Sequence, residues 1–333
     1  MSLLNTMPGL KFGFFRLLLT LFILPLSAQA LEAVSFATDW KAQAEQGGFY
    51  QAKALGLYEK AGLNVTIRGG GPGVNIPQLL GAGAIDFGMG SNSFIPLNMV
   101  MAGVPAKAVM AAFQKDPQVL ITHRRDDITG LADIKGKPVM IADASVNAFW
   151  VWLKARFDYS DRQIRKYTFN LAPFLVNPEA IQQGYVTSEP YTIATQGGIE
   201  PQVFLLSDYG YPSYAAMVLA QNRLIEEKPE LVQAFVNASI EGWRSYVFGD
   251  PTPGNQLILK SNPDMTQEII DQAIDQIRRR GMLVPENGTA ENIGTMVPAR
   301  WQSFFDTMSA NGVYPLGLNW QDAFTTRFIG GTK

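Results

Sequence analysis

Residues 37–65, ATDWKAQAEQGGFYQAKALGLYEKAGLNV, decide the fold of this chain. They follow a short apolar run at 33–37, which is typical of a buried strand. The polar residues from 38 to 46 predict a loop, and the spacing of apolar residues predicts a helix over 49–61 with Gly62 as its C-cap. Open α/β sheets bind small ligands where strand ends meet helix starts, so we expect a ligand site in this loop.

Strands and helices alternate through the first half of the chain, at 64–68, 75–82, 84–89, 91–102 and 106–113. This order predicts a mostly parallel sheet covered by helices. We place a first lobe at residues 31–120, a second lobe at 121–215, and a return to the first lobe with the C-terminal helices at 216–333. Two crossings between lobes would form a hinge, which suits closure around a ligand.

The N-terminus predicts a secretory signal peptide at residues 1–30. Lys11 and Arg16 precede a short apolar run at 17–26, and Ala30 ends a small-residue cleavage site. The apolar run is too short to cross a bilayer. Cleavage after Ala30 would remove two basic residues and no acidic one, so the formal net charge would change from −2 to −4.

The composition narrows the classes of function. The chain has no cysteine, which excludes disulfides, thiolate metal sites, cysteine nucleophiles and a lipid anchor on an N-terminal cysteine. His123 is the only histidine, so neither a histidine metal set nor a Ser-His-Asp triad is expected. The small formal net charge gives no indication of a nucleic-acid partner. We therefore expect a soluble periplasmic protein with no metal, cofactor or catalytic residue.

Three motifs make the chain resemble the periplasmic substrate-binding proteins of ABC importers. The first joins Asp39-Trp40 to the A-x-x-x-G-L-Y-x-K-A-G-L-x-V pattern at 52–65. The second is LADIKGKPV at 131–139, and the third pairs Gly184 with Glu189-Pro190 across a shortened interval. The branch it resembles binds pyrimidine precursors of thiamine, and similar branches bind alkanesulfonates, taurine or nitrate.

The resemblance covers residues 34–328 and implies a fold and a role. The implied fold is a two-lobed α/β periplasmic binding protein of type II, in which each lobe is a mostly parallel sheet flanked by helices and a two-stranded hinge joins them. The implied role is to capture a small molecule and deliver it to an ABC permease in the inner membrane. We expect a monomer that performs no enzymatic reaction.

Candidate ligand-binding residues of the first lobe follow two predicted strands. The loop after the first strand supplies an aromatic ring that could stack on a planar ligand and a carboxylate that could accept its hydrogen bonds; the alternative is a structural Asp that caps its loop and a Trp buried between the lobes. A second group begins the helix after strand 84–89, where backbone N–H groups bind acceptors, although plain helix capping explains it equally well. The predicted set of the first lobe is Asp39, Trp40, Gln46, Phe49, Ser91 and Asn92.

Candidate residues of the second lobe lie at corresponding strand ends. The resemblance implies that the carboxylate of Glu189 pairs with the ring nitrogen and exocyclic amine of a pyrimidine; a salt bridge across the hinge is the alternative. Trp150 would form a second aromatic wall unless it packs in the core. The predicted set of the second lobe is Ser145, Asn147, Trp150, Glu189, Tyr209 and Tyr211.

Three hypotheses for the function follow. The first is a binding protein for a planar, nitrogen-containing solute such as an aminopyrimidine precursor of thiamine. The second is a binding protein for a sulfonate, taurine or nitrate, which a carboxylate in the cleft would repel. The third is an enzyme on the same fold, similar to the pyrimidine synthase, whose cysteine-rich motif this chain lacks.

Overall fold

Ten strands form two separate five-stranded sheets in the computed structural model, which describes residues 1–2, 30–285 and 288–330. The strands are β1 (Glu32–Ala37), β2 (Leu63–Arg68), β3 (Phe87–Gly90), β4 (Ala106–Phe113), β5 (Gln118–His123), β6 (Val139–Ile141), β7 (Ile164–Lys166), β8 (Ile181–Tyr185), β9 (Pro201–Leu205) and β10 (Ala215–Gln221).

The first sheet has the order β2-β1-β3-β10-β4 and the second has the order β7-β6-β8-β5-β9. In the first sheet β10 is antiparallel to both of its neighbours, and the other strands share one direction. In the second sheet β5 is the antiparallel strand. The predicted two-lobed α/β fold with mostly parallel sheets is therefore confirmed. The strand that breaks the pattern in each sheet is the first strand after a crossing between lobes.

Thirteen α-helices cover the sheets of the described residues. They are α1 (Gly47–Ala54), α2 (Leu57–Lys60), α3 (Ile76–Gly81), α4 (Phe94–Met101), α5 (Asp143–Val146), α6 (Phe149–Phe157), α7 (Ala172–Val176), α8 (Glu189–Gly197), α9 (Asn222–Glu227), α10 (Pro229–Phe248), α11 (Thr252–Ser261), α12 (Gln267–Arg279) and α13 (Pro298–Ala310).

The core of the first lobe forms where α10 packs on the sheet. Phe235 stacks on Phe87 with 4.1 Å between ring centroids, and the fully buried Trp243 contacts the rings of Phe49 and Phe113. Burying large aromatic side chains supplies much of the energy of such a core. The core therefore fixes α1, which begins directly after the loop that carries Asp39 and Trp40.

The two lobes are joined by the segments 114–117 and 206–214, and Arg300 on α13 binds both of them. Its guanidinium donates to the carbonyl oxygens of Gln114, at 2.7 Å, and of Pro212 and Ser213, at 2.8 and 2.7 Å. It also lies over the ring of Tyr214, 3.9 Å from the centroid. The side chain is half-buried. One residue of the C-terminal part of the chain thus fastens the two crossings to each other.

Several predicted boundaries differ from the structure. The predicted helix over 49–61 is wrong as one element, because Gly56 adopts a left-handed conformation with φ of 65° and separates α1 from α2. The proposed lobe boundary at residue 120 falls inside β5. Glu189 begins α8 and does not end a strand, since β8 stops at Tyr185.

The predicted signal peptide, with its apolar run at 17–26, lies outside the described residues. Among the helices of the described ranges, none combines the length and the apolar character needed to span a bilayer.

Candidate functional site

Loops from the two lobes meet at the carboxyl ends of their parallel strands. The ring of Trp40, after β1, lies 4.6 Å from the ring of Phe169, after β7. The hydroxyl of Thr187, after β8, donates to the carboxylate of Glu45 on the facing lobe. Because parallel strands of a sheet end at one edge, the polar residues of both edges are gathered between the lobes.

Asp39 is the principal polar group on the wall of the first lobe. It follows β1 directly, and one of its carboxylate oxygens is buried with no hydrogen-bond partner among the described residues. Burial raises the pKa of Asp39 to about 6, a hydrogen bond with the Ser91 side chain opposes the rise, and the charge of Glu45 adds to it. An unpaired buried carboxylate oxygen is costly, so this position suits a ligand that donates a hydrogen bond.

Glu189 is the matching group on the second lobe. Its carboxylate accepts a hydrogen bond of 2.8 Å from the backbone N–H of Tyr185. A Cβ atom at Gly184 would lie 3.0 Å from the same carboxylate, so only glycine leaves room for it there. Burial raises the pKa of Glu189 to about 7, and the charge of Glu45 raises it further against the hydrogen bond from Tyr185.

Tyrosines and an amide lie between these carboxylates. Burial and the neighbouring charges of Asp116, Asp39 and Glu45 raise the pKa of Tyr185 well above its ordinary value. Tyr167 lies beside Glu189 and Gln182. The side chain of Gln182 is fully buried beside Tyr167, and within the described ranges neither its nitrogen nor its oxygen forms a hydrogen bond of normal geometry. Buried polar atoms of this kind usually have a partner, so Gln182 has unused capacity beside the carboxylates.

Asp116 extends the group toward the hinge, in the first crossing between the lobes. It accepts a hydrogen bond of 3.0 Å from the backbone N–H of Gln118. Burial raises its pKa to about 7, although Arg300 nearby lowers it. Tyr211 lies close to Asp116, and its buried hydroxyl has no partner in the described part of the chain.

Negative charge at this interface is largely uncompensated. In the described ranges no salt bridge involves Asp39, Glu45, Asp116 or Glu189, and only Arg300 lies near one of them. The same described residues hold no group of three or more acidic, cysteine or histidine side chains able to bind a metal ion. The arrangement can therefore accept several hydrogen bonds from N–H donors and can offer aromatic surfaces to a planar molecule.

The structure brings five predicted residues to this interface or its hinge, namely Asp39, Trp40, Ser91, Glu189 and Tyr211. It puts others elsewhere. The side chain of Gln46 accepts from the backbone N–H of Gln43 at 3.1 Å and caps a turn of its own lobe. Phe49 is fully buried in the core against Phe36 and Trp243.

The prediction that Trp150 forms a second aromatic wall of the ligand site is wrong. Trp150 is fully buried in the second lobe, and its indole N–H donates to Asp161 at 3.0 Å. Tyr209 packs against Phe157 and Phe204 instead of facing Trp40. The ring that does face Trp40 belongs to Phe169, a residue held at φ of 60°, which is uncommon for a bulky side chain.

Three further predicted residues have local roles in the structure. The side-chain oxygen of Asn92 accepts from the backbone N–H of Phe94 at 3.1 Å, which caps the start of α4. Ser145 lies within the short helix α5, and Asn147 is exposed just beyond its end. Within the ranges described, no side-chain hydrogen bond or salt bridge joins Ser145 or Asn147 to the carboxylates at the interface.

The sequence analysis missed Glu45, Asp116, Tyr167, Phe169 and Gln182 as members of the site. Glu45 lies in the loop that was predicted to bind ligand. Its acidic side chain, with neutral residues on both sides at 42–44 and 46–48, was the available signal. Asp116 lies between two apolar strands, where an acidic residue is unusual. For Tyr167, Phe169 and Gln182 the sequence carries no comparable signal, since their placement depends on how β7 and β8 pair with β6.

Two α/β lobes joined by two crossings define a fold class, that of the periplasmic binding proteins. The periplasmic aliphatic sulphonate binding protein SsuA from Escherichia coli superposes with a TM-score of 0.67 and 17% sequence identity, over 88% of this chain and 92% of that one. A similarity at this level of identity establishes the fold. The chain belongs to the NMT1/THI5-like family, whose model matches residues 43–252.

Two curated relatives are named for heterocyclic ligands. The riboflavin-binding protein RibY of Chloroflexus aurantiacus is 23% identical over 69% of this chain and 66% of its own length, just under two thirds. A formylaminopyrimidine-binding protein of Halalkalibacterium halodurans is 25% identical over 74% of this chain and 77% of its own. Family and fold thus confirm the resemblance that was inferred from the three motifs.

The carboxylates predict a dependence of stability on pH in the ligand-free protein. Folding raises the pKa of Asp39 to about 6 and of Glu189 to about 7. Between about pH 4, the ordinary range of these groups, and about pH 7 the folded chain therefore binds more protons than the unfolded chain. We expect these two groups to make the free energy of unfolding fall as the pH rises through this window.

Urea unfolding across this pH window measures the effect. A chain with both Asp39→Asn and Glu189→Gln serves as the comparison, because the remaining titratable groups are common to both proteins. The expected result is that the difference in unfolding free energy, variant minus wild type, grows as the pH rises. A difference that stays constant with pH contradicts the prediction.

Proposed function

We propose that this chain is the solute-binding component of an ABC importer, and that it closes its two lobes around a small planar heterocycle that carries amino groups. In this proposal the protein works in the periplasm, and an inner-membrane permease receives the solute. The solute class we favour is that of the aminopyrimidine precursors of thiamine. No covalent step is needed, because capture requires only binding and closure.

The observation that carries the proposal is the pair of opposed carboxylates without cationic partners. Asp39 and Glu189 stand on facing lobes, and Glu45 lies near both. Carboxylates accept paired N–H donors in a bidentate, charge-assisted manner, so an amine beside a protonated or N–H-bearing ring matches them. The rings of Trp40 and Phe169 supply planar apolar surfaces at the same interface.

The names of the curated relatives support a heterocyclic solute. One is named for riboflavin and one for formylaminopyrimidine, and both of these molecules contain a flat nitrogen heterocycle. The anionic group of a sulfonate, of taurine or of nitrate would instead meet Asp39, Glu45 and Glu189 in partly buried surroundings, where like charges repel strongly. The fold is common to both kinds of binding protein, so the site chemistry carries the choice.

A panel of solutes tests the proposal in a thermal-shift assay of the purified protein. The panel contains formylaminopyrimidine, the hydroxymethyl and aminomethyl aminopyrimidines, riboflavin, taurine, an alkanesulfonate and nitrate. A solute that binds the folded chain raises the melting temperature by mass action. We expect an aminopyrimidine to give the largest shift. Stabilisation by the sulfonates or nitrate alone would overturn the proposal.

Glu189→Gln tests the role of the second lobe. We expect the affinity for an aminopyrimidine to fall at least tenfold, about 1.4 kcal/mol, because the amide turns one acceptor into a donor that opposes the amine of the ligand. Isothermal titration calorimetry measures the change. Glu226→Gln on the exposed face of α9 is the matched control and should leave the affinity unaltered. Equal affinities in both variants would remove Glu189 from the site.

A further inference from the structure

We propose that the solute binds as a cation, and that the site prefers an aminopyrimidine bearing an ammonium group over a neutral aminopyrimidine of the same shape. This inference rests on the proposed function and deepens it. It is carried by the balance of charge between the lobes and by buried polar atoms that lack partners. A relative named for formylaminopyrimidine gives no basis for it, because a formylated amine carries no ammonium charge.

The charge balance includes the titratable groups from every element that meets at the interface. Asp39 lies after β1, Glu45 in the 3₁₀ turn Ala44–Gln46, Asp116 in the first crossing, and Glu189 at the start of α8. The remaining groups are the neutral Tyr167, Tyr185, Tyr211 and Tyr246 and the cationic Arg300.

Arg300 leaves most of this negative charge uncompensated. Three hydrogen bonds from its Nε and one terminal nitrogen go to backbone carbonyls of the hinge, and only Asp116 among the four carboxylates feels its charge. Lys41, although it lies in the same loop as Asp39, pairs with Asp264 on the exposed side at 2.6 Å. Asp39 and Glu189 therefore both lie near Glu45, and none of the three carboxylates has a cationic side chain among its contacts in the described ranges.

Buried polar atoms without partners provide unused hydrogen-bonding capacity beside these carboxylates. One oxygen of Asp39 is buried and unpaired. Gln182 is fully buried beside Tyr167, and Tyr211 is 3% exposed beside Ser213. In the described part of the chain neither the Gln182 amide nor the Tyr211 hydroxyl forms a hydrogen bond of normal geometry. Buried groups of this kind require a partner, and a bound molecule with several donors provides one for both lobes.

The negative charges of Asp39, Glu45 and Glu189 can be neutralised in two ways when the lobes are closed. They can take up protons, which leaves them neutral and able to receive a neutral solute. Alternatively, a cationic solute can replace those protons, in which case binding releases protons to the buffer. The two cases differ in a quantity that calorimetry measures, since the observed heat of binding changes with the ionisation enthalpy of the buffer in proportion to the number of protons released.

The test compares the aminomethyl and hydroxymethyl forms of one aminopyrimidine by titration calorimetry at neutral pH. The two probes match in size and differ in an ammonium group against a hydroxyl. We expect the ammonium form to bind at least tenfold more tightly and to release protons, and we expect its advantage to shrink as the pH falls and the carboxylates protonate. Equal affinity for the two forms overturns the inference and leaves the proposed function standing. Binding of neither form overturns both.

A variant separates charge from shape. Glu45→Gln keeps an acceptor for the hydroxyl of Thr187 and removes one negative charge. We expect it to reduce the ratio of the two affinities, ammonium form over hydroxymethyl form, severalfold. Glu226→Gln is again the control. An unchanged preference in Glu45→Gln counts against the inference, and a melting curve with one cooperative transition establishes that the variant is folded.

Discussion

Replacing Asp39 by asparagine and Glu189 by glutamine in one chain is expected to lower the affinity for an aminopyrimidine by roughly 100-fold, about 2.7 kcal/mol. Each substitution turns one carboxylate acceptor into a donor that faces an amine of the ligand. The two residues stand on opposite lobes, so the double change removes the charge-assisted contacts from both walls. Titration calorimetry of the wild type, both single variants and the double variant measures the loss.

The four proteins form a double-mutant cycle, which also shows whether the lobes act together. If the ligand bridges the walls, either single substitution loosens closure, so the combined loss should fall short of the sum of the two single losses. Losses that add fully indicate two independent contacts. Undiminished affinity in the double variant excludes these carboxylates from ligand binding.

Gly242→Ala is expected to cost the fold roughly 1–3 kcal/mol, which is typical of overpacking in a close-packed interior. A Cβ atom at Gly242 on α10 would lie 2.2 Å from the carbonyl oxygen of Gly48 and 2.6 Å from the Cβ of Ala52, both on α1. The nearest of these is backbone, so relief requires the two helices to separate. Urea unfolding measures the cost, and the loop carrying Asp39 should loosen with α1.

Gly81→Ala is the matched control for this substitution. Gly81 is the last residue of the helix α3, and a Cβ atom there would meet only the side chain of Val104 at 3.5 Å, an ordinary contact. Alanine has the higher helix propensity, so this change should be neutral or slightly stabilising. Similar unfolding free energies for the two variants would show that α1 and α10 can separate at no cost.

The sequence predicted the fold well because its signals are local and repeated. Apolar runs such as 106–113 match β4 at both ends, and the alternation of strands and helices specified the two lobes. The boundaries of helices were predicted wrongly where the backbone conformation of a single residue interrupts the apolar pattern. Apolar spacing continues through Gly56, and only the left-handed backbone of that residue divides the predicted helix into α1 and α2.

The candidate site could be predicted only where its residues come soon after the end of a strand. Asp39 lies two residues after β1, and Glu189 lies four residues after β8, at the start of α8. Trp150 was misassigned because a helix with several aromatic residues does not reveal which ring is buried, and packing chose Trp150. Phe169 reaches the interface through a loop with an unusual backbone conformation, which no pattern in one sequence indicates.

The position of β10 has a consequence for the order in which the chain can fold. This strand lies between β3 and β4, so the sheet of the first lobe cannot be completed before residues 215–221 have been synthesised. The second sheet, in contrast, uses only strands between residues 118 and 205 and is complete earlier in the chain. During synthesis, therefore, the strands of the second lobe are all present while the sheet of the first lobe still lacks β10. The last-formed contacts include those of Arg300 with both crossings, so the hinge is set only when the C-terminal helices arrive.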